Sequence, residues 1–350
     1  MKKIGILGGG QLAQMLTQAA LPLGFETLCY EPSTDACANR ITKVIHAPYD
    51  DHTQLQRFID AVDVVTYETE NIPLKTAEYV ASQCPLYPPL AALHQAQDRL
   101  HEKQLFQALG IPTTRFEKID IQTFREENMP GFPCVLKTRR FGYDGKGQYV
   151  FRSWSDQERC TIDLEKTPAI AEEFINFDQE VSLIGVRGQD KTCRFYPLTK
   201  NTHESGILRI SEAPYHDEQL QKKAEHYLQL IFETLDYCGV LAVEFFQKDG
   251  DLIANEMAPR VHNTGHWTIE GAKTSQFENH IRAITGLPLG STMPVGRSVM
   301  VNIIGQEPNL NECLRIEGLH YHAYGKSPRE GRKLGHMTLV DGDEGAFFNL

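Results

Sequence analysis

Three consecutive glycines, Gly8-Gly9-Gly10, separate an apolar run, Lys3–Leu7, from a helical pattern over about Gln11–Leu21, in which Leu12, Met15, Leu16 and Ala19 share a face. A glycine turn leading from a buried strand into a helix commits the chain to an open α/β sheet, because parallel strands need crossovers and helices supply them. Glu26–Tyr30 and Val62–Tyr67 read as further strands, with a helical stretch near Leu55–Ala61 between them. Gly8–Ala13 also fits GxGxxA, and Glu31 follows about twenty residues on, the layout of a dinucleotide site. Physically the turn is less specific than that. Glycine admits a phosphate close to the backbone and a helix N-terminus attracts any anion, so a phosphate is specified before a dinucleotide; a plain tight turn is the bland alternative.

With 350 residues the chain suits two or three domains rather than one core. Gln95–Leu109 reads as one amphipathic helix connecting the first unit to a second, ended by Gly110 and Pro112. The formal charge of −11 offers no general attraction to nucleic acid or acidic membranes, so basic residues that matter must be clustered in a site. No run reaches the roughly 18 apolar residues of a membrane span. The apolar start is interrupted by glycine after Leu7, short of a signal peptide's core. The eight cysteines are scattered without metal spacing, which fits a reduced, cytoplasmic setting.

A second glycine cluster sits differently. Pro133–Lys137 and Gln148–Phe151 both alternate as strands around Gly142-Tyr143-Asp144-Gly145-Lys146-Gly147, and no GxxxxGK[ST] string occurs. A glycine hairpin of this kind offers backbone N–H groups to phosphate oxygens as a lid, with Lys137 supplying charge; an exposed turn with solvated basic residues is the bland alternative. Leu241–Phe246 and Asp251–Glu256 form another hairpin, joined at Lys248-Asp249-Gly250. A three-residue loop puts Glu244 opposite Glu256, and a two-residue loop puts Asn255 there. Carboxylates facing each other at ~5 Å repel unless a cation lies between them, and Mg²⁺ favours carboxylates together with substrate phosphates. Two exposed acids on an edge hairpin is the plain alternative.

A lysine-ended strand, GYDGKGQ at 142–148, EEFI at 172–175, Glu180, Glu244 and NE at 255–256 together resemble the ATP-grasp superfamily. GGGQLAQM at 8–15, TYETENIP at 66–73, FGYDGKGQ at 141–148, APRVHNTGHWT at 258–268 and GRKLGH at 331–336 are similar to its ATP-dependent aminoimidazole ribonucleotide carboxylases, over essentially the whole chain. The resemblance implies mixed α/β and α+β architecture: a Rossmann-like domain over 1–96, an ATP-grasp domain over 97–290 with a lid at about 111–171, and a small β-rich C-terminal domain over 291–350. The family continues with a helical segment after GRKLGH, whereas this chain stops soon after, so the last domain is expected to be incomplete.

The resemblance also implies roles. Carboxylation of the amine would consume ATP and bicarbonate through carboxyphosphate, with Mg²⁺ as cofactor, in a homodimeric ligase of purine biosynthesis. Arg99, Lys137, Gly142, Tyr143, Asp144, Gly145, Lys146, Gly147, Gln148, Glu172, Glu173, Phe174, Ile175, Glu180, His203, Asn255 and Glu256 would bind ATP, with 172–175 as the adenine hinge. Glu244 and Glu256 would hold the metal. Gly10, Gln11, Glu68, Asn263, Arg332 and Lys333 would hold the ribonucleotide, its phosphate at the Gly10-Gln11 turn. Tyr143, Asp144, Arg260, His262 and Lys333 would surround the reacting amine, with the proton going to Asp144 or His262. Asn263 and Arg332 have a bracing role as their alternative, and Trp267 is assigned to packing. The rivals are another amine or carboxyl ligase of the superfamily, a dinucleotide-dependent oxidoreductase, or an inactive nucleotide sensor.

Overall fold

The computed structural model describes residues 2–142 and 147–350; Tyr143, Asp144, Gly145 and Lys146, all expected at the nucleotide, lie outside the described residues. The chain opens with β1 (Lys3–Leu7), α1 (Gln11–Ala20), β2 (Glu26–Tyr30), β3 (Lys43–Ile45), α2 (His52–Ile59) and β4 (Val64–Tyr67). The four strands form a parallel sheet in the order β3-β2-β1-β4. Strand order reverses at β1, so the Gly8–Gly10 turn opens at the crevice where such sheets hold ligands.

α3 (Leu74–Ala81), α4 (Leu90–Ala96) and α5 (Arg99–Ala108) follow. The single helix expected over Gln95–Leu109 is therefore two. Asp98 adopts extended backbone between them, caps α5 by accepting the Leu100 N–H at 3.1 Å, and receives Arg139 at 2.8 and 2.7 Å. The apolar periodicity runs through this break because the break serves a distant ion pair.

β5 (Phe116–Ile119), β6 (Cys134–Thr138), β7 (Gln148–Phe151) and β8 (Ala169–Glu173) form a small antiparallel sheet in the order β5-β8-β6-β7. Its β6–β7 hairpin sets Lys137 opposite Gln148, the strand–glycine–strand arrangement that the pattern implied.

The remaining strands build one large sheet. They are β9 (Gln179–Arg187), β10 (Cys193–Phe195), β11 (Thr199–Glu204), β12 (Ile207–Ala213), β13 (Gly239–Lys248), β14 (Asp251–Ala258), β15 (Ser298–Ile304), β16 (Leu319–Ala323) and β17 (Lys333–Val340). The order is β14-β13-β9-β11-β12-β15-β17-β16, with β10 on β9. The C-terminal strands thus extend the central sheet through β12–β15 while keeping their own apolar cluster around Leu319, Leu334, Met337 and Phe347. After β17 the chain ends in a short helix, Glu344–Phe348.

α6 (Glu218–Thr234) buries Leu220, Ala224, Leu228 and Ile231 against Val181, Leu241 and Val243 of the sheet. α7 (Thr268–Gly271) and α8 (Gln276–Thr285) follow β14. The apolar residues of α8 join those of α1 in one core that unites the N-terminal parallel sheet with the large sheet. His280 fastens that seam. Its Nδ1 accepts the Val240 N–H at 3.1 Å, so Nε2 carries the hydrogen and faces Thr66 Oγ1 at 2.8 Å. Trp267 is fully buried and donates to Thr199 Oγ1 at 3.1 Å, a packing role as expected. All eight cysteines are free thiols. Among the described residues no helix is long and apolar enough to cross a membrane.

Candidate active site

The carboxylate hairpin turns through Asp249 and Gly250, both with positive φ (51° and 76°), a two-residue turn whose twist suits flanking strands. Its register runs Lys248↔Asp251 to Phe245↔Ala254 and then shifts by one, so that Glu244 faces Glu256 and Asn255 is the extra residue of a bulge. A two-residue loop and facing acids therefore coexist. Ala254 explains the shift: its N–H donates to Pro112 O at 2.7 Å, and its carbonyl accepts from Thr113 Oγ1 at 2.7 Å and Lys103 Nζ at 3.2 Å. These outside partners draw the strand from the regular ladder.

Arg99 Nη1 lies 2.9 Å from Glu256 Oε2. Burial alone would raise Glu256, but Arg99 outweighs it and brings the carboxyl down to about 2. Glu244 goes the other way, pushed up to about 7 by burial and by Glu256. A like-charged pair with one member resisting ionisation is what a cation would relieve, and Asn255 Oδ1 is buried beside it without a hydrogen-bond partner. Among the described residues no group of three or more His, Cys, Asp or Glu side chains is close enough to hold a metal, and a cation between these two acids would take further oxygens from a substrate.

Lys137, at the end of β6, faces the cleft with its Nζ 3.1 Å from Glu172 Oε1. Glu172 Oε2 is 3.2 Å from Lys103 Nζ and accepts from Thr114 Oγ1 at 3.0 Å. Burial opposes ionisation of Glu172, yet Lys103, Lys137 and Arg99 hold it well below the usual carboxylate range. Expected at the adenine hinge, the Glu172 side chain instead lies behind the site, engaged with two lysines. Glu173 pairs with Arg115 at 2.8 Å, and the N–H groups of Glu173 and Phe174 already donate to the carbonyls of Arg115 and Pro133. From the 172–175 segment only Phe174 lines the cleft.

Phe174, Val135, Val150, Phe177, Phe246 and Met257 supply apolar lining to the cleft, and Phe177 and Phe246 stack at 4.8 Å. Glu180 Oε2 meets His203 Nδ1 at 2.7 Å; burial works against the imidazolium, but Glu180 raises the His203 pKa. Gly142 and Gln148 also line the cleft, whereas Gly147 packs on Thr138 outside it.

At the opposite end, Glu68 follows β4 and folds over the glycine turn, accepting the N–H groups of Gly10 and, at 2.9 Å, of Ala13. A Cβ on Gly10 would lie 2.7 Å from its Oε1, so any side chain there would have to displace this carboxylate. Part of the anion seat expected at α1 is thus filled from within. Gln11 and Leu12 still face the cleft, and Lys326 Nζ reaches Gln11 Oε1 at 2.7 Å. Glu31, the acid that a dinucleotide would need, accepts the Gly9 and Ser33 N–H groups at 3.1 and 2.8 Å and is folded back on the turn. Lys333 lines the cleft, while Arg332 lies outside the lining, paired with Asp35 at 3.0 Å.

Between the two ends, Arg260 forms a two-pronged pair with Glu70, one bond being 3.0 Å. His262 is held neutral by burial and by Arg260, its pKa lowered to about 3, and its Nδ1 lies 2.9 Å from Thr264 Oγ1. Asn263 lines the cleft with both side-chain polar atoms buried and unpartnered. Glu70, Lys103, Lys326, Phe177 and Phe246 are additions to the expected set. Glu70 and Lys326 lie inside or just before the TYETENIP and GRKLGH strings, whereas Lys103 sits in a helical pattern that carries no chemical signal.

One cavity of about 690 Å³ takes in both ends. Family models match along the chain: a ribonucleotide synthetase preATP-grasp domain at 1–97, an ATP-grasp domain at 104–277 and a phosphoribosylaminoimidazole carboxylase C-terminal domain at 298–347. The N5-carboxyaminoimidazole ribonucleotide synthase of Pseudomonas aeruginosa is 48% identical over 96% of this chain and 94% of its own. The crystal structure of the synthetase from Thermus thermophilus superposes with a TM-score of 0.92 at 48% identity, covering 99% of this chain and 96% of that one. The Aspergillus clavatus synthase, solved with ADP and 5-aminoimidazole ribonucleotide, superposes at 0.87 with 28% identity over 97% and 93% of the two chains.

Proposed function

The chain belongs to the N5-carboxyaminoimidazole ribonucleotide synthase family of ATP-grasp ligases, and from that premise we propose how its residues divide the work of carboxylating 5-aminoimidazole ribonucleotide with ATP in purine biosynthesis. The observation that carries the division is one cavity with a carboxylate hairpin and Lys137 at one end and, at the other, Lys333 and Gln11, the latter held from behind by Lys326. Adenine packs on the apolar lining of Phe174, Phe177 and Phe246, and the Glu180–His203 pair meets the ribose. Lys137 and Arg99 take the phosphates, with Gly142 and Gln148 lining the same cleft. Glu244 and Glu256, with Asn255 between them, hold Mg²⁺, which when bound supplies charge neutralisation at the transferring phosphoryl group.

Bicarbonate is the co-substrate: its oxygen attacks the γ-phosphorus, ADP leaves, and the carboxyphosphate formed breaks down to CO₂ and phosphate. The amine nitrogen then bonds to CO₂ and loses a proton. Arg260, fixed by Glu70, and Lys333 oppose the anionic charge that develops here. His262, neutral across the working range, is too weak a base to take the proton and serves as a hydrogen-bonding group, which leaves Asp144 as the proton acceptor. The ribonucleotide phosphate lies on Gln11, the α1 N-terminus and Lys326, with Lys333 at its rim and Asn263 at the base. Arg332 acts from outside by bracing the loop against Asp35.

We place domain limits at 96/97 and 290/291, with the lid at about 111–171. We assign the enzyme to the cytoplasm, whose reducing conditions suit free thiols, and expect a homodimer, to be checked by light scattering. ADP release measured with bicarbonate, with and without 5-aminoimidazole ribonucleotide, tests the chemistry. Stimulation by the ribonucleotide with matching carbamate formation is expected; bicarbonate-independent hydrolysis would overturn the co-substrate assignment.

A further inference from the structure

We propose that Lys103, which touches no part of the cleft, is a positioning residue that sets Lys137 and Glu256 together. Lys103 is 1% exposed on α5, the helix that begins with Arg99. Its ammonium has three partners: Glu172 Oε2 at 3.2 Å, Thr113 Oγ1 at 3.0 Å and the Ala254 carbonyl at 3.2 Å. A lysine so deeply enclosed is costly to keep charged, and burial does lower its pKa. An apolar side chain would fill the same space at less cost, so the three contacts are what distinguishes lysine here.

Two of them lead toward chemistry. Glu172 lies on β8 directly opposite Val135 of β6, and Lys137 opposite Ile170, so Glu172 and Lys137 are diagonal neighbours on one sheet face. With Oε2 held by Lys103 and Thr114, Oε1 is left to Lys137 at 3.1 Å. Lys103 therefore sets the rotamer of the carboxylate that aims Lys137. The second contact, with Thr113, pins Ala254 where β14 leaves register, and the bulge that follows turns Glu256 toward Glu244. One ammonium thereby references a phosphate-side lysine on the small sheet and a metal-side acid on the large one. Without it, the two groups lose this shared reference, and misplacement by an ångström at a reacting centre is enough to cost two orders of magnitude.

The inference rests on the phosphate role of Lys137, and a double-mutant cycle separates the two claims. Lys137→Met alone tests that role: an unchanged KM for MgATP would remove Lys137 from the phosphates. Lys103→Met is expected to raise KM for MgATP and lower kcat together by about tenfold or more, with KM for the ribonucleotide within about twofold. Lys103→Arg is expected to restore less than half of the loss, because a planar guanidinium does not match this three-way contact. In the Lys103→Met background, Lys137→Met should cost at least about tenfold less than in the wild type, since the lysine is already misplaced. Fully additive losses would show that Lys103 does not act through Lys137. Equal effects on both substrates would assign it to general structure and overturn the proposal. If Lys103→Met yields no folded enzyme, Glu172→Gln enters the same cycle from the other side of the link, with the same two outcomes.

Discussion

The two ends of the cleft handle positive charge in opposite ways. At the nucleotide end, Lys137, Arg99 and Arg139 are each opposed by a carboxylate of the protein: Glu172, Glu256 and Asp98. Around the end near α1, Lys326 meets a neutral amide oxygen, and Arg332, outside the cleft lining, meets an exposed aspartate. Cations locked to acids are pre-organised, so a phosphate arriving there meets fixed dipoles at little reorganisation cost. Cations with weak partners are released to a ligand at almost no cost. Substitutions at the first end should therefore disturb stability along with turnover, and those at the second should change affinity or chemistry alone.

The largest effect is expected for Glu256→Gln. We expect kcat to fall roughly a thousandfold, and the melting temperature by roughly 2 °C as Arg99 loses its charged partner, about 1 kcal/mol once solvent screening is allowed for. Turnover lost with no change in melting would break the contrast. Next comes Lys333→Met, expected to slow carbamate formation about 100-fold while ADP binding by calorimetry stays within about twofold. A parallel loss of ADP affinity would tie Lys333 to the nucleotide end. Lys326→Ala should raise KM for the ribonucleotide about tenfold, the worth of one charge-assisted hydrogen bond, with KM for MgATP and the melting temperature unmoved.

The smallest effect concerns pH. Glu244, raised to about 7 by burial and by Glu256, keeps its proton longer in the folded chain than in the unfolded one. The folded state holds the excess proton between the ordinary carboxylate range and about pH 7, so stability is lost as pH rises across that window. In metal-free protein, urea denaturation at about pH 5 and pH 8 should register a decline on the order of 1 kcal/mol from this group. Glu244→Gln should remove it, and added Mg²⁺ should reduce it in the wild type. A Gln variant with an unchanged slope would assign the decline to other groups.

Much of this plan is legible in the residues because it follows local rules. The strand–glycine–helix opening, the β6–β7 hairpin and the acids of β13 and β14 each come from periodicity and turn chemistry. The register of the acids does not, since loop length alone allows two answers. The bulge at Asn255 depends on Pro112, Thr113 and Lys103, which are remote in sequence. The split at Asp98 escapes for the same reason, its cause being Arg139. EEFI at 172–175 stands out as part of the site, but alternation puts the Glu172 side chain behind Lys137 rather than in the cleft lining. Glu68 reads as a ligand for the substrate, although the glycines beside it already leave room for its carboxylate.

The histidine at the seam between the N-terminal parallel sheet and the large sheet sets a limit on what acidity can do to this enzyme. His280 bridges Thr66 and Val240 as a neutral ring, and burial keeps it so down to about pH 3. The joint between the parallel sheet and the strand that carries Glu244 is thus held by a part that does not titrate where the acids of the cleft do. Changes in acidity retune the charge inside the cleft, while this joint keeps its hydrogen bonds.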